Sequence, residues 1–160
     1  MIPGLDFRQI GPLLKQALKE DGAWQDRTTR AVVWSAFKTR GEIIAKADGV
    51  LAGIPVVEKV FQAMDKGCRV KARVKEGRQI KKGQQVAVLN GFAKPLLSGE
   101  RVALNILSRL SGVATLTRKF ADAVGGRRIY DTRKTTPLWR ALERYAVRVG
   151  GGQNHRFNLA

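Results

Sequence analysis

The stretch Ile129–Arg156, IYDTRKTTPLWRALERYAVRVGGGQNHR, decides how the rest of the chain is read. Ile129 and Tyr130 are strand formers. Thr136-Pro137 has the form of a helix cap followed by proline at the first helical position, where a missing N–H costs nothing. Leu138, Leu142, Tyr145, Ala146 and Val149 recur at helical spacing on one face, and Arg140, Arg144 and Arg148 fall on the other, read as a solvated stripe. Gly150, Gly151 and Gly152 form a stop. The stretch therefore predicts strand, loop and helix, with Asp131 to Thr135 on the loop. In β/α architectures such loops hold substrate, because several strands aim side chains at one rim. Arg133, Lys134, His155 and Arg156 all lie within reach of that rim. Four cationic or potentially cationic groups around one cavity call for an anion, and a guanidinium meets carboxylate or phosphate oxygens through two parallel hydrogen bonds.

The whole chain shares this bias. Its 160 residues carry 30 Lys and Arg against 13 Asp and Glu, a formal charge of +17 at pH 7. That excess favours anionic substrates or polyanionic partners, while 44% hydrophobic residues suffice for a core. The single cysteine, Cys68, excludes an intrachain disulfide framework and fits a reducing cytosol, so a cytoplasmic location is expected. Nothing around Cys68 supports a nucleophilic role. No signal peptide is visible in the first twenty residues. The longest apolar stretch, Gly49 to Val57, is too short to span a bilayer, so no membrane partner is expected.

Read from the start, Ile10, Leu13, Leu14, Ala17 and Leu18 predict an amphipathic helix ending near Gly22. Glu42 to Ala47 reads as a strand broken by Asp48-Gly49, with Val50 to Ala52 as its continuation, and Pro55 to Met64 as a short helix. Arg69 to Val74 and Gln84 to Leu89 alternate as strands around turns at Glu76-Gly77 and Lys82-Gly83. The basic run Lys66 to Lys82 is either an RNA-binding face or solvated strand edges. It has little aromatic interleaving, which disfavours nucleic acid. Ser98 opens a long helix that buries Val102, Leu104, Ile106, Leu107, Leu110 and Val113, with Gly112 marking a close approach or a break. Arg101 then falls in the first turn, where the helix dipole does not favour a cation. It is either a surface arginine paired to Glu100 or an anion ligand.

Three segments in order, Ser98 to Val124, DTRKTTP (Asp131 to Pro137) and YAVRVGGGQNHRFNL (Tyr145 to Leu159), resemble quinolinate phosphoribosyltransferase, also called nicotinate-nucleotide pyrophosphorylase. The resemblance runs from about Leu13 to Leu159. It implies an α+β amino-terminal, hammerhead-like domain, residues 1–108, followed by the first part of an incomplete α/β (TIM-like) barrel, residues 109–160. The family's Gly-Asp-x-Thr-Thr turn has Gln25 in place of its glycine here, ahead of Asp26, and the acidic pair Glu20-Asp21 is weighed as structural.

The implied activity is that of a pentosyltransferase. It transfers a phosphoribosyl group from phosphoribosyl pyrophosphate to quinolinate, with decarboxylation, giving nicotinate mononucleotide for NAD biosynthesis. Position by position, Arg133 and Arg156 become carboxylate clamps, with Arg101 supplied by the neighbouring subunit of a homodimer. Thr132 and Lys134 contact substrate, Lys134 also meeting the phosphoribosyl donor, and His155 lines the site. Lys134 and His155 are the candidate catalytic residues. Without the resemblance, a lone histidine after an asparagine is more often a structural hydrogen-bonding residue. Magnesium is implied together with phosphoribosyl pyrophosphate, but its acidic ligands belong to barrel segments expected beyond Ala160, so this chain by itself is expected to be inactive. The strand Arg128 to Asp131 is expected to lack parallel neighbours within the chain. A non-catalytic basic module that binds nucleic acid or an acidic partner is the alternative.

Overall fold

The computed structural model of the chain describes residues 5–157. Helix α1, Phe7–Glu20, begins where the Asp6 carboxylate accepts the Arg8 N–H, and it buries Ile10, Leu14 and Leu18 at every fourth position. A short 3₁₀ turn, Ala23–Gln25, leads into α2, Arg27–Val32. Asp26 caps α2 by accepting the Thr29 N–H at 2.9 Å. Gln25 fits where the family pattern has glycine because the left-handed residue of this turn is Gly22, at φ 68°.

Five strands follow in two sheets. β1 (Lys38–Ile44), β5 (Gln85–Phe92) and β3 (Arg69–Ala72) form an antiparallel sheet in the order β1-β5-β3, with Gly41 and Val70 both opposite Leu89. β2 (Gly49–Val50) and β4 (Gln79–Ile80) pair separately. The strand expected over Glu42 to Ala47 thus lies earlier, and Val50 does not extend it. A register shift between Ile43 and Ile44 ends the ladder, and the chain crosses to a second partner. Gly77 and Gly83 take positive φ at the two expected turns. The exposed Arg69 and Lys71 lie on β3, an edge strand.

Helix α3, Ile54–Met64, buries Val56, Val57, Val60 and Phe61. Its first N–H groups are capped from outside: the Glu76 carboxylate accepts from Gly53 at 2.8 Å and from Ile54 at 2.9 Å. Helix α4, Ala93–Ala123, starts where β5 ends and runs unbroken across residue 108. It begins before the expected Ser98, and Pro95 is accommodated in its first turn, where N–H groups have no intrahelical acceptor. Gly112 meets no neighbour within 4 Å and neither breaks the helix nor marks a contact. The close approach is made by Gly99, against Phe61 and Met64.

Helix α5, Arg140–Gly150, packs Leu142, Tyr145, Ala146 and Val149 onto this core. A Cβ on Gly150 would lie 2.5 Å from the Ala114 carbonyl oxygen, so α4 and α5 meet backbone to backbone there. Cys68 is buried, and burial pushes its thiol up, away from the nucleophilic thiolate.

Candidate anion-binding site

The two segments expected to carry the site are joined edge to edge. The Gln153 N–H donates to the Ile129 carbonyl at 2.8 Å and the Asp131 N–H to the Gln153 carbonyl at 3.0 Å, giving a parallel bridge between Tyr130 and Gln153. Residues 128–131 therefore do have a parallel neighbour within the chain, contrary to expectation. The segment that returns after α5 reaches back beside them, as in the step from one barrel strand to the next.

The loop between them does not open α5 as expected. The Glu143 carboxylate accepts the Thr136 N–H at 3.2 Å and the Thr136 hydroxyl at 2.8 Å, and the Arg109 guanidinium donates to the same carboxylate at 2.8 Å. Thr136 is held against the side of the helix rather than capping it, and α5 starts only at Arg140. Leu138 is turned outward, 85% exposed with φ 66°, and takes no part in the apolar face. Burial raises the Glu143 carboxyl, but the bonds from Arg109 and Thr136 outweigh it and hold the group below its usual range.

The larger correction concerns Arg140, Arg144 and Arg148. They are not a solvated stripe. Arg140 Nε donates to Thr135 Oγ1 at 3.2 Å, Nη1 to the Phe157 carbonyl at 3.2 Å and Nη2 to the Arg133 carbonyl at 3.4 Å. Arg144 Nη2 donates to the His155 carbonyl at 2.6 Å and Nη1 to the Arg156 carbonyl at 3.2 Å, and Arg148 bonds Gln153 Oε1. Asp131 completes the clasp by accepting the His155 N–H at 2.6 Å and Asn154 Nδ2 at 2.7 Å, with Arg144 Nη1 at 3.6 Å. Asp131, Arg144 and Asn154 were missed as organisers. The available signal was residue choice: three arginines and no lysine on one face suit carbonyl oxygens, which a forked donor binds in fixed geometry.

Within this frame Thr132 and Lys134 are exposed, and Thr132 Oγ1 accepts the Lys134 N–H at 3.2 Å. Arg133 is half-buried, and its Nε is enclosed without a hydrogen-bond partner among the described residues. His155 and Arg156 are exposed. The loop of Thr132, Arg133 and Lys134 and the pair His155-Arg156 thus sit on adjacent strand ends tied by Asp131.

Arg101 is elsewhere. It lies in the third turn of α4, so the first-turn dipole reading does not apply, and its Nη1 bonds Asp21 Oδ1 at 2.9 Å rather than Glu100. Asp21, Asp26, Thr29, Ser98 and Asn105 line its hollow with it. Hydrogen bonds from Thr29 hold the Asp26 carboxyl below the usual carboxylate range. None of residues 131–157 lines that hollow.

Magnesium, implied with the phosphoribosyl donor, needs a cluster of oxygen ligands. Among the described residues no group of three or more His, Cys, Asp or Glu side chains converges, so the donor set does not fit a resident ion. No helix among them is long and apolar enough to cross a membrane.

Known proteins match this arrangement along its length. The family model "Quinolinate phosphoribosyl transferase, N-terminal domain" matches residues 26–111, and the corresponding C-terminal domain model matches residues 113–160. A probable nicotinate-nucleotide pyrophosphorylase (carboxylating) of Bacillus subtilis is 42% identical over 97% of this chain and 54% of its own length. A mitochondrial quinolinate phosphoribosyltransferase (decarboxylating) of Nicotiana tabacum is 37% identical over 98% and 44%. The crystal structure of NadC from Streptococcus pyogenes superposes with a TM-score of 0.94 at 41% identity, covering 99% of this chain and 57% of that one. The chain spans about half the length of the curated relatives it matches. With the amino-terminal family model alone covering more than half of its residues, the chain belongs to the quinolinate phosphoribosyltransferase family.

Proposed function

We propose that this chain forms the pyridine-dicarboxylate site of a quinolinate phosphoribosyltransferase. The ring nitrogen of quinolinate bonds to the anomeric carbon of phosphoribosyl pyrophosphate as pyrophosphate leaves, and the adduct then loses carbon dioxide to give nicotinate mononucleotide. A dianion must be held beside a polyanionic sugar phosphate, and a cluster of cations offsets their repulsion. Arg133 and Arg156 clamp the two carboxylates. Lys134 faces the phosphoribosyl donor, Thr132 and His155 line the site, and positioning supplies much of the rate. Magnesium accompanies the donor in this reading.

The observation that carries the reading is Arg133, whose enclosed Nε has no partner among the described residues although its loop backbone is fixed by Arg140. An arginine so held is prepared for an anion from outside the chain. Arg101 belongs to the same reading as a group lent to a second subunit, which is compatible with its separate hollow, and a homodimer is proposed on that ground. A cytoplasmic setting is part of the proposal, although the tobacco relative is named mitochondrial.

Isothermal titration with quinolinate tests it. Wild type is expected to give binding heat, and Arg133→Ala to bind about tenfold or more weakly, as expected for loss of a charge-assisted pair. Equal heats would overturn the site. Salt-sensitive binding of RNA without a quinolinate response would favour the basic-module alternative.

A further inference from the structure

The three arginines of α5 are not equivalent. Arg148 bonds one side chain, and Arg140 spreads over Thr135, Arg133 and Phe157. The bonds of Arg144 converge on the bases of the two site segments. Nη2 holds the His155 carbonyl at 2.6 Å, Nη1 holds the Arg156 carbonyl at 3.2 Å, and Asp131 Oδ2 lies 3.6 Å from Nη1. The Phe157 ring covers the guanidinium at 5.3 Å. The Arg144 side chain is only 12% exposed and that of Asp131 6%. One planar cation therefore ties three successive residues, 155 to 157, to the carboxylate at the foot of the other segment. The His155 and Arg156 side chains donate no hydrogen bond to any other described residue, so within the described chain their direction is set through the backbone.

We infer that Arg144 is a positioning residue of the anion site, fixing how His155 and Arg156 project relative to Arg133 and Lys134. The inference rests on reading that site as a dicarboxylate site. It assigns Arg144 no contact with substrate, since its forked donors are spent on the chain itself. A charge alone would not serve. Lysine is a point donor on a flexible stem and cannot hold two carbonyls and a carboxylate in one plane. Arg144→Lys therefore keeps the charge and loses the function.

His155 is the only histidine of the chain, so its ring gives NMR signals free of overlap. Wild type, Arg144→Lys and Arg148→Lys are compared by amide hydrogen exchange without ligand, and by calorimetry and His155 ring shifts during quinolinate titration. In Arg144→Lys the His155 amide is expected to exchange about tenfold faster or more, with α4 amides unchanged, and quinolinate to bind about tenfold more weakly. Arg148→Lys is expected to stay within about twofold of wild type on both measures. Equal quinolinate affinity in wild type and Arg144→Lys overturns the positioning role and leaves the dicarboxylate reading standing. A freed His155 amide in Arg144→Lys, with no quinolinate response even from wild type, supports the loop-holding role and overturns the dicarboxylate reading. A collapse of the urea midpoint in both Arg144→Lys and Arg144→Gln would assign the residue to global stability and overturn the inference.

Discussion

The elements up to α4 and the segment from Gly125 to Phe157 are ordered by different forces. In the first, Leu18, Leu51, Val56, Val57, Val60, Phe61 and Leu110 are almost wholly removed from water, and burial of that kind has no preferred direction. In the second, one face of α5 and the Trp139 that precedes it join that core. The loops on either side of α5 hang from arginine forks, the Glu143 carboxylate and Asp131. Non-directional packing tolerates exchange of one apolar shape for another. A clasp of directed bonds tolerates much less, but it can hold exposed cations in a fixed arrangement, which an anion site at the surface requires.

The largest expected effect breaks the first region and tests whether the second depends on it. Phe61→Ala removes a side chain that is 1% exposed, packed against Gly99 of α4. It should cost about 3–5 kcal/mol, read as a fall in the urea midpoint. If the two regions are one cooperative unit, the Asp131-bonded amide of His155 loses its exchange protection in step with the core. Protection of that amide in a chain whose core has melted would show that the clasp stands alone.

Gly150→Ala attacks the seam between the regions. Its Cβ would lie 2.5 Å from the Ala114 carbonyl oxygen and 2.7 Å from Thr117 Cβ, and a backbone oxygen cannot swing aside as a flexible side chain can. α5 must then lift from α4, at about 1–3 kcal/mol. A midpoint equal to wild type would mean the helices are not in contact at this point.

The first region was far more legible in sequence than the second. The spacing of Ile10, Leu14 and Leu18, the alternation along β3 and β5 and the glycine turns at 77 and 83 are local signals, and each element appeared close to its expected place. What escaped was non-local. The two-residue strands β2 and β4 are too short to carry a period. Arg140, Arg144 and Arg148 looked solvated because a charge stripe is read without its acceptors. Those acceptors are mostly carbonyls of Arg133, His155, Arg156 and Phe157, groups that every residue has and no pattern marks. The resemblance therefore pointed to exposed cations on the two loop segments, while the carbonyls and carboxylate that fix those segments carry no mark in the sequence.

A bond between the regions gives a pH dependence. Tyr145 on α5 donates its hydroxyl to Glu76 Oε2 at 2.5 Å, the same carboxylate that caps α3. Burial, and then the negative charge of Glu76, push the Tyr145 phenol well above its ordinary value of 10.0. The folded phenol stays protonated where the unfolded one ionises. The stability from this bond is complete below pH 10 and is lost as pH rises beyond it. Tyr145→Phe should cost about 1 kcal/mol at neutral pH and flatten the decline in stability above pH 10. Denaturant melts of both proteins at neutral and alkaline pH check this, and an unchanged alkaline slope in the variant would deny Tyr145 that role.

The smallest effect has the opposite sign. Leu138, 85% exposed at φ 66°, is the only described non-glycine residue with positive φ, and it lies in the loop whose Thr136 is pulled onto Glu143. Holding an L-residue there costs about 1–2 kcal/mol, whereas glycine gives back about 0.5–1 kcal/mol through its greater freedom when unfolded. Leu138→Gly should therefore stabilise the chain by about 0.5–1 kcal/mol, the difference between those two terms. Leu138→Ala keeps the Cβ that causes the strain and should gain nothing. Equal urea midpoints for the glycine and alanine variants would mean that the directed bonds of the second region carry no backbone strain. A gain confined to glycine would show that the pull of Glu143 on Thr136 is strong enough to hold one residue of the loop in a conformation its side chain disfavours.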